Sequence, residues 1–331
     1  MRKSLSALFI LIPSVWAVAD GVELRQQYKN GFRYLQTVNI TQESSVSTGV
    51  SNSTTKSATN LELETIARPA AVAGGNGTAL TVRYAKVAMT VEHDGRTFQF
   101  PVEPVEGEGA AANPKVQAGP LAALAAVPGR AFTVNLNEQG TVDSVQNSEA
   151  AVATLAGSGP LTNATFRDMF SKESIARMFS QTMIRTPKGQ LPKHGDSWPL
   201  SQEIAMPGLG ALEVSGAYKL VGTVDYEGAQ CAEIEVSATI SKRPPAREIQ
   251  DLQDNDRFDT LSRQMRLKLD GSTMTGRILF DPAISFPRSI SITQSLAIEA
   301  KIPDGTKNVF KMPIKQTTSV KLVEMTHVHP E

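Results

Sequence analysis

The chain holds few residues of the kinds that carry out chemistry: four histidines, one cysteine and a run of aspartates between residues 251 and 259. His194, Asp196 and Ser197 combine the imidazole, carboxylate and hydroxyl of a hydrolase triad. Residues so close in sequence rarely take up that geometry, and no Gly-x-Ser-x-Gly motif accompanies them. The sequence therefore predicts no catalytic residues, and a hydrolase is the least favoured functional class.

Neither a metal ion nor a cofactor is predicted. His327 and His329 could hold a metal ion weakly, but a solvated tail is the simpler interpretation. The aspartate run lacks the alternate oxygen ligands, the glycine and the final glutamate of a calcium-binding loop. Because Cys231 is the single cysteine, zinc sites built from cysteine pairs are excluded. It lies in a strand-like run, where we expect a buried, small hydrophobic side chain.

A stripe of methionine and phenylalanine residues is the most distinctive feature of the chain. Methionine is flexible and polarisable, so such a stripe can adapt to varied apolar ligands. Ordinary packing of a helix against the core is the competing interpretation. If the sheet beneath is strongly curved, the stripe lines an apolar cavity and forms a ligand-binding site. The predicted ligand-binding residues are Phe166, Met169, Phe170, Met178, Phe179 and Met183.

Long runs of alternating apolar and polar residues lie on both sides of this stripe and predict strands. One such run extends from Leu24 to Glu43, and another from Leu80 to Val91. In the second run the pattern changes phase between Tyr84 and Val87, which is typical of a β-bulge. Asp94-Gly95 follows and predicts a tight hairpin.

Strands outnumber helices and follow one another through short turns, which favours antiparallel meanders. The Ser/Thr-rich stretch at 44–59 is either a hairpin between two exposed strands or a mobile loop. The predicted fold class is mainly β with a helical insert, in which two antiparallel meanders form a curved sheet, a half-barrel or a duplicated half-barrel around central helices. The predicted domains are a signal peptide at 1–19, an N-terminal β meander with a short Ala/Leu helix at 20–147, a helical insert at 148–194 and a C-terminal β meander at 195–331.

The first 19 residues have the three parts of a bacterial signal peptide. Arg2 and Lys3 form the charged start, an apolar stretch follows, and Ala17-Val18-Ala19 matches the motif that signal peptidase reads. Cleavage is predicted between Ala19 and Asp20. The stretch is shorter than the roughly 20 apolar residues of a membrane-spanning helix. We therefore expect an exported protein, periplasmic or secreted, without a transmembrane span.

Composition narrows the classes of partner. The chain has 33 Lys and Arg against 33 Asp and Glu, with the signs interspersed, so no basic surface for nucleic acid is expected. Aromatic residues make up 6% of the chain, too few for an extended stacking surface for sugars or bases. One cysteine cannot form an internal disulfide, so an apolar core has to stabilise the exported protein.

Four motifs give the sequence a family resemblance. Gly195-Asp196-Ser197-Trp198 follows a proline-bounded segment. The supporting motifs are Tyr28-Lys29-Asn30-Gly31, Gly129 to Val142 and Gly276 to Asp281. Together these resemble an uncharacterised family of exported bacterial all-β proteins of unknown function, which implies an envelope or secreted location. At the level of architecture alone, the chain is similar to periplasmic lipoprotein carriers, whose half-barrel cups helices over an apolar cavity.

The sequence thus favours an exported, non-enzymatic envelope or secreted protein. Its expected partner is a lipid or another apolar ligand bound beneath the helical insert, or an envelope protein. The alternative is a structural or protein-interaction β module with a solid core. A well-formed apolar void beneath the helices would favour ligand binding over that alternative.

Overall fold

Thirteen β-strands make up most of the part of the chain that the computed structural model describes. The described residues are 21, 23–47, 51–72, 75–100, 128–138, 140–148, 172, 175, 176, 179, 184, 186, 190–206, 210–242, 266–301 and 309–328. The strands are β1 (Phe32–Ser47), β2 (Asn52–Val72), β3 (Gly75–His93), β4 (Arg96–Phe100), β5 (Ala131–Leu136), β6 (Val142–Gln146), β7 (Ser197–Met206), β8 (Gly210–Tyr226), β9 (Ala229–Lys242), β10 (Arg266–Lys268), β11 (Thr273–Asp281), β12 (Phe286–Lys301) and β13 (Val309–His327).

These strands form one curved antiparallel sheet in the order β6-β5-β3-β2-β1-β13-β12-β11-β9-β8-β7, with β4 beside β3 and β10 beside β12. Two meanders, β1 to β6 and β7 to β13, join at the centre of the sheet. There β1 pairs with β13 from Phe32 opposite His327 to Ser47 opposite Lys311. The sheet is open, because β6 and β7 lie at opposite edges of the described strand order. The predicted mainly β class, with antiparallel meanders in a curved sheet, is confirmed.

The strands are long, and their side chains alternate between an apolar and a polar face. β2 has 21 residues, which at about 3.3 Å per residue extend for about 70 Å. In β9 the even-numbered residues from Ile234 to Ile240 are buried, whereas the odd-numbered residues between them are exposed. This period of two is the pattern that the sequence carries.

Tight turns connect several strand pairs, and the residue types at these turns favour the positive backbone φ angles found there. At the turn between β3 and β4, Asp94 has φ 46° and Gly95 has φ 78°. Glu227 and Gly228 have φ 52° and 77° between β8 and β9. Two positive φ values in a two-residue loop are the geometry of a type I′ hairpin, which asparagine, aspartate and glycine favour. The hairpin predicted at Asp94-Gly95 is confirmed.

A β-bulge in β3 lies where the sequence pattern changes phase. Lys86 is opposite Glu62 and Tyr84 is opposite Leu63, so Ala85 has no partner on β2. Successive residues of a regular strand point to opposite faces, so Tyr84 and Val87, three positions apart, would lie on opposite faces. The extra residue, Ala85, places both on the same face. The predicted bulge is confirmed.

The structure shows where two of the predicted strands begin and end. The Ser/Thr-rich stretch forms a hairpin, since β1 and β2 pair as far as Ser47 opposite Asn52. By contrast, the alternating run that starts at Leu24 is not one strand, because β1 begins at Phe32. Gly31, with φ 81°, separates β1 from the preceding residues, and such a backbone conformation interrupts a strand.

Helical structure is found at Ser148, Lys172, Ile175, Ala176 and Phe179 among the described residues. The predicted signal peptide, its cleavage site at Ala19 and Asp20, and the predicted Ala/Leu helix lie outside the described residues. The domain boundaries stay predictions. Within the described part of the chain, no helix is both long and apolar enough to cross a membrane.

Candidate functional site

The apolar face carries two clusters of fully buried side chains, one towards each edge of the sheet. The C-terminal cluster is built mostly by β7, β8, β9, β11 and β12, and includes Trp198, Ile234 and Phe280. The N-terminal cluster is built mostly by β1, β2, β3, β5 and β6, with Phe286 of β12, Leu322 of β13 and the helical residues Ile175 and Phe179. Each fully buried large apolar side chain stabilises the fold by roughly 1.5–3 kcal/mol. The clusters therefore anchor both ends of the strand order.

Between the clusters, the apolar face of the four central strands β12, β13, β1 and β2 is largely half-buried. The strand register aligns its side chains in three rows that run across the strands. The rows, together termed the central face, are Ile290-Val320-Val38-Leu61, Ile292-Thr318-Ile40-Thr59 and Gln294-Gln316-Gln42-Ser57. Of these twelve residues only Val38 is buried, at 9% exposure. With strands about 4.8 Å apart and rows about 6.7 Å apart, the central face measures about 14 Å by 13 Å.

The third row differs from the other two because three of its four members are glutamines. Gln316 lies opposite Gln294 on one side and Gln42 on the other, so their side chains are cross-strand neighbours. The amide nitrogen of Gln316 donates to Thr318 Oγ1 over 3.4 Å, and that of Gln294 approaches Met274 Sδ at 3.7 Å. The row therefore places hydrogen-bonding groups at one end of the central face, whose other end is the all-apolar first row.

Charged side chains of the same strands lie on the opposite face. The residues that form the central face and those between them include no charged residue. Glu43, Lys56 and Lys315 each lie one position beyond the third row, and alternation and register place them on the polar face. Lys56 and Glu43 form an ion pair of 3.7 Å there. The central face thus combines apolar groups with neutral polar groups.

Residues 23–30 bridge the two clusters. Leu24 is buried in the C-terminal cluster, and Tyr28 packs against the N-terminal cluster. Gln26 N donates to Ile184 O over 3.2 Å and Thr186 N donates to Leu24 O over 3.3 Å, so this segment is held by backbone hydrogen bonds. Burial, followed by the neighbouring phenol of Tyr34, raises the pKa of Tyr28 well above its ordinary value. Its phenol therefore stays neutral over the physiological range.

Of the six residues predicted to bind a ligand, Phe179 lies within the described part of the chain. It is 7% exposed and belongs to the N-terminal cluster, where its ring meets that of Phe132 at 6.4 Å and 85°. This cluster borders the central face, since its member Leu322 is two residues from Val320 on β13. Phe166, Met169, Phe170, Met178 and Met183 lie outside the described residues, so the role of the stripe stays a prediction.

Two crevices lie away from the central face. One, of 290 Å³, is lined mainly by polar groups, including Arg25, Gln26 and Glu138. The other, of 340 Å³, lies between residues 190–192 and Trp198. Neither is the enclosed apolar void beneath the helices that the sequence leads one to look for. The side chains of the central face are half-buried instead, apart from the buried Val38.

The residues that resemble a triad are exposed, and Asp196 has a structural role. Asp196 accepts a hydrogen bond from Lys193 N over 2.8 Å, and His194, Asp196 and Ser197 are all exposed. Gly195 N donates to Leu220 O over 2.7 Å, which ties the start of β7 to β8. Trp198 is 3% exposed and stacks on Tyr218 at 5.5 Å. The Gly-Asp-Ser-Trp motif thus fastens the edge of the sheet to the C-terminal cluster.

Cys231 is a free, fully buried thiol, as the sequence predicts. Burial, with a further contribution from Asp281, raises the pKa of this thiol. A protonated, inaccessible thiol is a poor nucleophile. Among the described residues, no group of three or more histidine, cysteine or acidic side chains is arranged to hold a metal ion.

A model of a protein family described as "Family of unknown function (DUF6263)" matches residues 75–287. The chain belongs to this family. The matched part extends from the start of β3 into β12 and includes strands of both meanders. The resemblance to an uncharacterised family of all-β proteins is confirmed. A comparison with curated proteins gives no match.

Solved structures with similar features include one titled "Lipid-protein interactions in lipovitellin". It has 11% identity and a TM-score of 0.44, and the aligned part covers 92% of this chain but 26% of that one. DynF from the dynemicin biosynthesis pathway of Micromonospora chersina has 10% identity and a TM-score of 0.17, and the aligned part covers 95% of this chain and 92% of that one. A putative outer membrane lipoprotein-sorting protein domain from Vibrio parahaemolyticus has 7% identity and a TM-score of 0.16, and the aligned part covers 88% of this chain and 84% of that one. Similarity at this level carries no argument about function, and this chain spans about a quarter of the lipovitellin chain.

Proposed function

We propose that the protein binds a lipid or another chain-like apolar ligand on the central face, and that it does so without catalysing a reaction. The observation that carries the proposal is the group of apolar side chains on the central face, all half-buried except Val38, between the two buried clusters. Exposed apolar surface is unfavourable by roughly 25 cal/mol per Å². Contiguous apolar patches on folded proteins commonly mark binding surfaces for this reason.

The shape and chemistry of the surface favour a ligand with an extended apolar part. The first row, Ile290-Val320-Val38-Leu61, is apolar across all four strands, and Ile292 and Ile40 continue it in the second row. The sheet is curved, so its two faces differ in shape as well as in polarity. Phe166, Met169, Phe170, Met178 and Met183 are proposed to cover the same ligand together with Phe179.

The proposed location is the periplasm or the extracellular medium, on the strength of the signal-peptide pattern at residues 1–19. Expression of the full chain in a bacterial host with an outer membrane, followed by fractionation and mass measurement, tests this. Export predicts a periplasmic or secreted product that begins at Asp20. A cytoplasmic product that retains residues 1–19 would refute it.

Native mass spectrometry of the purified protein, followed by lipid extraction, tests ligand binding. We expect a co-purifying apolar molecule and uptake of a fluorescent fatty acyl probe by the extracted protein. Ile292→Asp should weaken probe binding at least about tenfold, because the new carboxylate would have to be desolvated against the acyl chain.

Ser291→Asp is the matched control, since residue 291 adjoins residue 292 in β12 and is exposed on the polar face. Ile40→Asp and Asn39→Asp form a second pair of the same design in β1. All four variants should retain the circular dichroism of the parent protein. A clean apo mass with no probe uptake would reject ligand binding and leave a solid-core interaction module as the function.

A further inference from the structure

We infer that Gln294, Gln316 and Gln42 hold the head of the ligand, and that this head is neutral and forms hydrogen bonds. The ligand class is then an amphiphile with an uncharged polar head, such as an acylglycerol, rather than a fatty acid or a cationic amphiphile. This inference rests on the proposed function. It starts from the position of the three glutamines, which occupy apolar-phase positions on adjacent strands.

The row of three glutamines is short enough for a single polar head group to contact all of them. Gln294 and Gln42 lie one strand to either side of Gln316, so their backbones are about 10 Å apart. Ser57 continues the row on β2. The neighbouring row adds two hydroxyls, those of Thr318 and Thr59. Polar groups are therefore grouped in one part of the central face, next to the all-apolar row of Val38.

The glutamine amides have hydrogen-bonding capacity to offer a ligand. Each amide carries two N–H donors and an oxygen that accepts two hydrogen bonds. The contacts recorded for the described residues use one donor of Gln316, at 3.4 Å, and bring one donor of Gln294 near a weak sulfur acceptor. Amide oxygens and further N–H groups remain for hydroxyl, ester or amide groups of a ligand.

The distribution of charge explains why the head should be neutral. Glu43, Lys56 and Lys315 lie on the polar face of the same strands, behind the glutamine row. A charged head on the central face would lose water without gaining a counter-ion, which is strongly unfavourable. An uncharged head exchanges hydrogen bonds with water for hydrogen bonds with the amides, at little net change in free energy.

A purely structural role for the row is the competing explanation. Stacked amides on adjacent strands can stabilise a sheet through cross-strand pairs. In a dry core, however, each unpaired amide group would be unfavourable, because it loses its hydrogen bonds to water without replacing them. All three glutamines are half-buried, so water reaches the row and a ligand head can replace it.

Displacement of a neutral fluorescent apolar probe by three amphiphiles with the same chain tests the inference. The amphiphiles are lauroylglycerol, laurate and dodecyltrimethylammonium, each below its micelle concentration. We expect lauroylglycerol to bind at least about tenfold more tightly than either charged amphiphile. Equal affinity for the three, with the probe bound normally, would overturn the inference but leave the proposed function standing. Failure of the probe and of all three amphiphiles to bind would overturn both.

Two substitutions at the centre of the row make the test specific. Gln316→Leu should weaken lauroylglycerol binding by about threefold to tenfold, the effect of one or two lost hydrogen bonds, while the apolar probe binds as tightly or more tightly. Gln316→Lys should shift the preference towards laurate, because it supplies a cation. Lys315→Gln, on the polar face of the same strand, is the control and should change neither preference. An unchanged ranking in both Gln316 variants would overturn the inference.

Discussion

Replacing Arg288 with methionine should destabilise the protein by about 3 kcal/mol, because the carboxylate of Asp281 would stay buried without its cation. Asp281 ends β11 and its side chain is 3% exposed. Arg288 lies early in β12, and its Nε donates to Asp281 Oδ2 over 2.7 Å. The pair closes the turn that joins the two strands.

The expected loss of unfolding free energy depends on how exposed Arg288 is and on the hydrogen bond that Asp281 keeps. Removal of one partner from a buried ion pair is unfavourable by about 3–5 kcal/mol. Arg288 is 29% exposed, and Asp281 keeps a second hydrogen bond, from Ala283 N over 2.9 Å. Both facts place the loss at the lower end of that range. The double variant Asp281→Asn/Arg288→Met should recover most of the stability, since it removes the charge and keeps an acceptor for Ala283 N.

Urea unfolding of the parent protein, both single variants and the double variant, followed by circular dichroism, measures the coupling between the two residues. Lys321→Met is the control, because it breaks an exposed ion pair with Glu227 and should leave the midpoint nearly unchanged. A loss below about 1 kcal/mol for Arg288→Met, or a double variant no more stable than that single variant, would refute the reasoning.

Two further predictions concern buried rings. Phe179→Ala should lower the free energy of unfolding by about 3–5 kcal/mol in the same assay, because the ring is 7% exposed within the N-terminal cluster; a loss near zero would place the ring outside the core. Burial raises the pKa of Tyr34 and of Tyr84 to about 12, whereas a phenol in the unfolded chain has a pKa of about 10. The folded state therefore binds more protons between pH 10 and 12, so the free energy of unfolding should fall across that range. Phenolate absorbance and urea midpoints at several alkaline pH values measure this, and a flat stability profile from pH 10 to 12 would contradict it.

Local features of the fold could be predicted from the sequence because they depend on neighbouring residues. Alternation identifies a strand and its two faces, and a phase change such as that before Val87 identifies a bulge. Asp94-Gly95 identifies a hairpin by its backbone preferences. The order of strands depends on distant residues instead. No local pattern indicates that β1 lies beside β13 or that β5 pairs with β3.

The candidate site could be predicted only in part, for the same reason. The sequence predicts that Phe179 either binds a ligand or packs in the core, and in the structure it packs in the N-terminal cluster beside the central face. The central face itself was missed. Its signal is present in the sequence, since Gln42, Gln294 and Gln316 interrupt three alternating runs at apolar-phase positions. That these interruptions lie side by side follows from the register of β1, β12 and β13, which only the structure gives.

The pairing of β1 with β13 also sets the order in which the molecule can be assembled. Phe32 lies opposite His327, so the central hydrogen-bonded pair closes only after nearly the whole described chain has been synthesised. Until then β1 and β12 each present an open edge on which other chains can add. Contacts between residues so far apart in sequence also make folding slow. In a protein of this topology one edge of β1 stays unpaired until β13 has emerged, and other chains can aggregate on that edge during the interval.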